Sequence, residues 1–192
     1  MRYDPRTRVT GAGYTSRVSQ WGQRSLIKSI QRGVVSIQFN ETSATSTIAA
    51  VNPDNCRLIF LNTINPSDAN GPAVNACRVG LTNSTTVTAF VNSTAASTRE
   101  VGFEVIEYMP GVLRRVQRGT ISTSGAASGT ATITAVDMAK TTLDPLGFTS
   151  TSTVDTAQNC WFKLILTNAT TVTGNGLSAI TRTAGFQITE WM

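Results

Sequence analysis

One octapeptide occurs twice in this chain, and that repetition limits the fold more than any other feature. Leu81-Thr82-Asn83-Ser84-Thr85-Thr86-Val87-Thr88 returns as Leu166-Thr167-Asn168-Ala169-Thr170-Thr171-Val172-Thr173, with a single difference at Ser84 against Ala169. Two further matches flank it. Ile30-Gln31-Arg32-Gly33 matches Val116-Gln117-Arg118-Gly119, and Gly102-Phe103-Glu104-Val105-Ile106-Glu107-Tyr108-Met109 matches Gly185-Phe186-Gln187-Ile188-Thr189-Glu190-Trp191-Met192. The offsets are 86, 85 and 83 residues, in the same order along the chain. Ordered matches at a nearly constant offset read as a tandem duplication of one folding unit. The expected organisation is an extended basic arm over residues 1–25, a first unit over 26–111 and a second over 112–192.

Within each unit the periodicity is that of strands. Val35, Ile37 and Phe39 alternate with Ser36 and Gln38, and Val101, Phe103 and Val105 share one face of a second run. Thr45 to Val51 reads the same way, with Ile48 inward, and Leu58-Ile59-Phe60-Leu61 is a short apolar run expected to be covered on both faces. Asn52-Pro53-Asp54-Asn55 is expected to turn, and Asn62 to Asn75, with Pro66, Gly71 and Pro72, is expected to be a loop. Asp144-Pro145-Leu146-Gly147 stands in the second unit where Leu58 to Leu61 stands in the first. No helical period is sustained over ten residues. The expected fold class is all-β: two tandem, duplicated antiparallel β-sandwich units preceded by an extended N-terminal arm.

Of the 192 residues only 14% are charged and 40% are apolar, which suits many short strands rich in Thr, Ser, Ala and Val. The net charge of +5 is unevenly placed. Up to Arg32 the chain carries seven basic residues (Arg2, Arg6, Arg8, Arg17, Arg24, Lys28, Arg32) against one acid, Asp4, and the remainder is almost neutral. The basicity therefore belongs to the arm, and nucleic acid is not expected as a partner of the body. In the arm Tyr3, Tyr14 and Trp21 interleave with the arginines, the composition of interface anchors. Arg114 and Arg115 form a second small basic cluster between the units, with Arg118. The expected partner contacts are Arg2, Tyr3, Arg6, Arg8, Tyr14, Arg17, Trp21, Arg24, Arg114 and Arg115.

Chemistry is constrained by what is missing. The chain has no histidine, which removes the commonest general base and most transition-metal sites. Glu104 and Glu107 lie three apart on a strand and so point to opposite faces, which rules out a paired-carboxylate site. Glu107 and Glu190 stand at equivalent places beside an aromatic, an arrangement expected to be structural. No catalytic residue, cofactor or metal is expected. The sequons at Asn40, Asn83, Asn92 and Asn168 are expected products of a Thr-rich composition. Three cysteines, Cys56, Cys77 and Cys160, make an odd count without a CxxC pair and are expected to be small buried thiols. No apolar run is long enough to span a bilayer. Sugar recognition needs aromatic faces rather than histidine, so Tyr108 and Trp191, at equivalent places in the repeat, are the candidate glycan contacts, with Trp161 as a third.

Taken in order, Gln-Arg-Gly, a Thr/Ser/Ala-rich strand ending Ala50-Val51-Asn52 or Ala135-Val136-Asp137, Leu146-Gly147-Phe148, the octapeptide and the closing Gly-Phe-x-Val/Ile-x-Glu-aromatic run resemble small β-rich virion proteins of tailed bacteriophages. Modules of that kind are similar to H-type-lectin-like sandwiches and occur in decoration, collar and tail-fibre proteins. The resemblance covers residues 26–192 and not the arm, and the first unit departs from it at Leu61-Asn62-Thr63. It implies a non-enzymatic structural protein of the virion, made in the host cytoplasm, assembled as a homo-oligomer and docked on capsid, collar or tail proteins through its arm. The alternative it implies is a tail-fibre module binding a host surface glycan. A head-tail connector component touching DNA is the weaker alternative.

Overall fold

The computed structural model describes residues 25–64, 75–94, 98–153 and 161–192. The arm residues named above lie outside these, as do Cys160 and most of the Asn62 to Asn75 stretch. The first half comprises β1 (Ile27–Ile37), β2 (Ser43–Thr47), β3 (Cys56–Ile64), β4 (Arg78–Asn83), β5 (Thr86–Phe90) and β6 (Arg99–Tyr108). The second comprises β7 (Leu113–Ser122), β8 (Ser128–Thr132), β9 (Thr141–Ser150), β10 (Phe162–Asn168), β11 (Thr171–Gly176) and β12 (Arg182–Trp191). A single 3₁₀ turn precedes the third strand of each half, at Pro53–Asn55 and Met138–Lys140. The described strand pairings are antiparallel.

The halves share one strand order, element for element. The strands β1-β6-β3 and β2-β5-β4 neighbour one another in the first half, and β7-β12-β9 and β8-β11-β10 repeat that order in the second. In each half the two sheets face each other over an apolar core, the packing of a sandwich. The first core gathers Val35, Ile37, Leu58, Val101, Phe103 and Val105 against Val79, Val87 and Ala89; the second gathers Ile121, Phe186 and Ile188 against Ile133 and Val172. The residues of β6 alternate buried and half-buried, as expected for one core-facing side.

Local chemistry repeats with the strands. Gly33 lies opposite Phe103 and Gly119 opposite Phe186, and a Cβ at either glycine would stand 2.7 or 2.8 Å from the ring, so the Gln-Arg-Gly motif has glycine where the ring lies flat on the neighbouring strand. The preceding Gln31 brackets Ala49 with two hydrogen bonds of 2.7 and 3.0 Å, and Gln117 brackets Thr134 with bonds of 2.7 and 2.9 Å. Inside the octapeptide Asn83 Oδ1 accepts from the Thr85 amide, and Asn168 Oδ1 from the Thr170 amide, both at 2.9 Å; these Asx turns set the hairpins. Asn52 and Asp137 cap the 3₁₀ turns, each accepting from the amide two residues on at 3.0 Å.

Four expectations change. Phe39 lies beyond β1 and is 59% exposed, because the strand ends at Ile37. β2 ends at Thr47, and Ile48 and Val51 are buried from irregular backbone, their amides held by the Thr85 and Ser84 carbonyls at 2.9 Å. β3 runs to Ile64, so the expected loop begins later than Asn62. Leu58 to Leu61 is not covered on both faces, Leu61 being 52% exposed, while Asp144 to Gly147 lies in the matching strand β9, Pro145 included.

The halves are also not separate bodies. β4 of the first pairs with β9 of the second, Arg78 opposite Gly147, which makes one six-stranded sheet β2-β5-β4-β9-β12-β7 out of parts of both. Leu146 of the second half belongs to the core of the first.

Candidate functional site

The feature that joins the halves is a buried polar cluster, built from the outer face of the β7-β12-β9 sheet and the turn leading into β3. Arg118 donates through Nη1 to the Pro53 carbonyl at 3.0 Å, through Nη2 to the Cys56 carbonyl at 2.6 Å, and through Nε to Gln187 Oε1 at 2.8 Å. Gln187, with no exposed surface, accepts the Leu58 amide at 3.1 Å and donates to Asp144 Oδ2 at 3.3 Å. Asp144 is held from the other side by Arg57, whose Nε stands 2.7 Å from Oδ2 and whose Nη2 reaches Oδ1. Gln187 thus caps an outward-facing amide of β3 that no strand pairs.

Electrostatics follow from that burial. The Arg57 guanidinium is pushed above its ordinary range, chiefly by its hydrogen bonds to Asp144. Burial lowers the pKa of Arg118, opposed by the nearby Cys56 sulfur, and burial raises those of the Cys56 and Cys77 thiols. Neither cysteine is therefore a ready nucleophile. Chemically the cluster binds one half to the other.

Glu107 and Glu190 work as strand-end staples, one in each half. Glu107 is 2% exposed; Oε1 accepts Lys28 Nζ at 2.8 Å and the Asn52 amide at 3.0 Å, and Oε2 accepts Ser29 Oγ at 3.3 Å. Burial pushes this carboxyl up, but the lysine, the amide and the hydroxyl together outweigh it and hold it below its usual value. Glu190, 1% exposed, repeats the pattern with Arg114 Nη1 at 3.2 Å and the Asp137 amide at 3.0 Å.

Two expected partner contacts are already bonded within the chain, and one expected glycan contact is buried. Arg114 is tied to Glu190, and Arg115 donates to the Ala135 carbonyl at 3.0 Å, so both basic side chains of the junction already have partners within the chain. Tyr108 is 8% exposed and meets Trp191 edge to face, centroids 5.4 Å apart. A buried ring in contact with its own counterpart offers no face to a sugar, because pyranoses stack on free aromatic faces. Trp161, by contrast, is 66% exposed, in a groove of about 340 Å³ shared with Lys163, Asn175 and Leu177.

Sequence reading missed Arg99 and Arg182, both without exposed surface. Arg182 holds the Ser178 carbonyl and hydroxyl at 2.9 Å, and Arg99 Nη2 lies 3.4 Å from the Ser93 carbonyl. Extending the last repeat match upstream by three residues aligns Arg99 with Arg182, and that was the available signal. Comparison with protein-family models, curated proteins and solved structures finds no match for the chain.

Proposed function

We propose that the chain is a non-enzymatic structural protein of a tailed-phage particle, an exterior decoration, collar or fibre-attachment component whose basic N-terminal segment docks on neighbouring virion proteins. The observation that carries this reading is the use to which the buried charges are put. Arg57, Arg118, Asp144, Glu107 and Glu190 all tie one strand or half to another, as suits a rigid spacer presenting surfaces to neighbours. The described strands and cores begin after this segment, so removing it should cost binding and leave the fold intact. The test is incorporation. Particles assembled with the full chain should carry it in fixed copy number, and those assembled with a version lacking residues 1–25 should lose it. Purified particles without the chain, or equal incorporation of the shortened version, would overturn the reading.

A second reading, glycan binding in a tail fibre, is favoured by exposed Trp161 beside Asn175 and Lys163. It predicts glycan-array signals that Trp161→Ala abolishes, and an array silent at millimolar sugar removes it.

A further inference from the structure

The same sheet face is covered in one half and open in the other. In β12 the outward residues Gln187 and Thr189 have no exposed surface, because the first half lies on them. The residues in their place on β6 are Glu104 and Ile106, both only half-buried. Around them the open face is more apolar than the covered one. Val34, 50% exposed, stands where the second half has Thr120; Ile59 stands where it has Asp144. Ile30, Leu61 and Ile64 are 41, 52 and 71% exposed on the same sheet. Val34, Leu61, Ile64 and Glu100 border a groove of about 370 Å³. An apolar sheet face that is buried wherever it recurs marks an interaction surface.

The contact inside the chain also shows what fits. The covering parts of the first half are its 3₁₀ turn with the start of β3 (Pro53, Cys56, Arg57, Leu58) and the start of β4, where the Cys77 carbonyl accepts the Phe148 amide at 3.1 Å. Their counterparts in the second half are the turn at Met138–Lys140, none of whose residues is buried, and the start of β10. Met138 is 48% exposed, Lys140 and Lys163 are exposed, and among the described residues no strand pairs with the outer edge of β10. The groove and sheet of the open face carry Glu100 and Glu104, the latter paired with exposed Arg32, so a cationic edge laid on them would meet opposite charge, as Arg57 meets Asp144 within the chain.

We propose that a second copy of the chain covers this face, bringing its Met138–Lys140 turn and β10 edge onto the β1-β6-β3 sheet as the first half covers the second. The contact is head-to-tail, so copies add in one direction and give a ring if the rotation closes and a filament if it does not. It is not copied bond for bond. Asn62 stands where the covered sheet has Gly147, and its own Oδ1 already holds the Thr63 amide at 2.8 Å, the amide equivalent to that of Phe148. The joint between copies therefore lacks the strand-to-strand bond, rests on apolar cover and charge, and is weaker and reversible. The inference does not rest on the particle reading, since it concerns the purified chain alone.

Analytical ultracentrifugation of the full chain over ~1–100 μM should show mass rising by whole chains with concentration. Val34→Arg on the open face, and separately Met138→Glu with Lys163→Glu on the covering edge, should each weaken association by at least about tenfold. These positions are exposed, so unfolding midpoints should stay at the wild-type value and report folding separately. Mixing the two defective chains should restore a one-to-one pair and nothing larger, because each keeps one working surface. A chain that stays monomeric at 100 μM, association untouched by Val34→Arg, or failure of the mixed pair would each overturn the proposal. So would hydrogen exchange showing the Val34 face protected in the monomer and bared by deleting residues 1–24, since the chain's own segment would then be the cover. Loss of association with unchanged incorporation into particles would separate this proposal from the functional one.

Discussion

β6 and β12 hold equivalent places in the two halves but lie in different environments. Each is flanked by two antiparallel partners (β1 and β3 for β6, β7 and β9 for β12), each presents a phenylalanine to the glycine opposite, and each carries a buried glutamate near its end. They differ on the outer face. In β6 it carries Glu104, paired at 2.5 Å with an Arg32 whose side chain is 64% exposed; in β12 it carries Gln187, buried against Arg118. Exchanging Glu for Gln removes a charge that would be costly to enclose, while the amide still accepts from arginine and donates to Asp144. The outer face thus records what lies on it, and the inner face records the fold.

The sharpest way to break this comparison is at the bulge next to that face. Gly147 has φ +81°, and a Cβ there would stand 2.2 Å from the Cys77 carbonyl oxygen, so Gly147→Asn should cost about 4 kcal/mol or more in denaturant unfolding. Its counterpart Asn62 also has positive φ, at 117°, but its side chain is exposed. Asn62→Gly should change stability by less than about 1 kcal/mol, the lost Thr63 bond partly offset by relief of backbone strain. Equal costs at the two positions would mean that β4 does not close on Gly147.

Next comes the arginine pair. Arg118→Met strands two carbonyls, Gln187 and a buried cluster that includes Asp144, and should cost about 3–5 kcal/mol. Arg32→Met removes an ion pair whose arginine is largely exposed and should cost about 1 kcal/mol. Thermal unfolding of both variants measures how far burial alone multiplies one side chain's effect.

Acid sharpens the comparison at the strand ends. Because the Glu107 carboxyl is held below its ordinary value of 4.5, its contribution is present above that pH and is lost as pH falls through the lower folded value. Glu107→Gln should cost about 2 kcal/mol at neutral pH, yet flatten the loss of stability below about pH 4.5. An acid limb as steep as the wild type's would show that another carboxylate controls it.

How much of this could be read beforehand differs between the faces. The strands, the inward set Val101, Phe103 and Val105, and the structural glutamates follow from period-2 patterning and the repeat. Patterning reports the core face only, so the bonds of Arg114 and Arg115 within the chain and the contact of Tyr108 with Trp191 could not be read from it. Arg118 looked like one more cation in a cluster, because nothing local in Gln117-Arg118-Gly119 differs from Gln31-Arg32-Gly33. The departure at Leu61-Asn62-Thr63 against Leu146-Gly147-Phe148 was visible. Its cause, a strand from the other half closing on Gly147, is a long-range contact that no local pattern encodes.

The smallest effect lies in the octapeptide itself, and it tests whether cover is the whole difference between the halves. Asn83 and Asn168 each accept two bonds from the threonine two residues on, at 2.9 and 3.1 Å in both copies. Both are exposed and both set the same hairpin between a fourth and a fifth strand. Asn83→Ala and Asn168→Ala should therefore cost the same, about 1 kcal/mol each, and add in the double variant because the turns share no partner. Should Asn168→Ala prove clearly the more damaging, then β10 and its hairpin depend on local turn chemistry more than β4 does. That result would fit a strand that, among the described residues, pairs only with β11, against one anchored by β9 as well. Equal costs would place the asymmetry of the molecule on the outer faces of β6 and β12 alone.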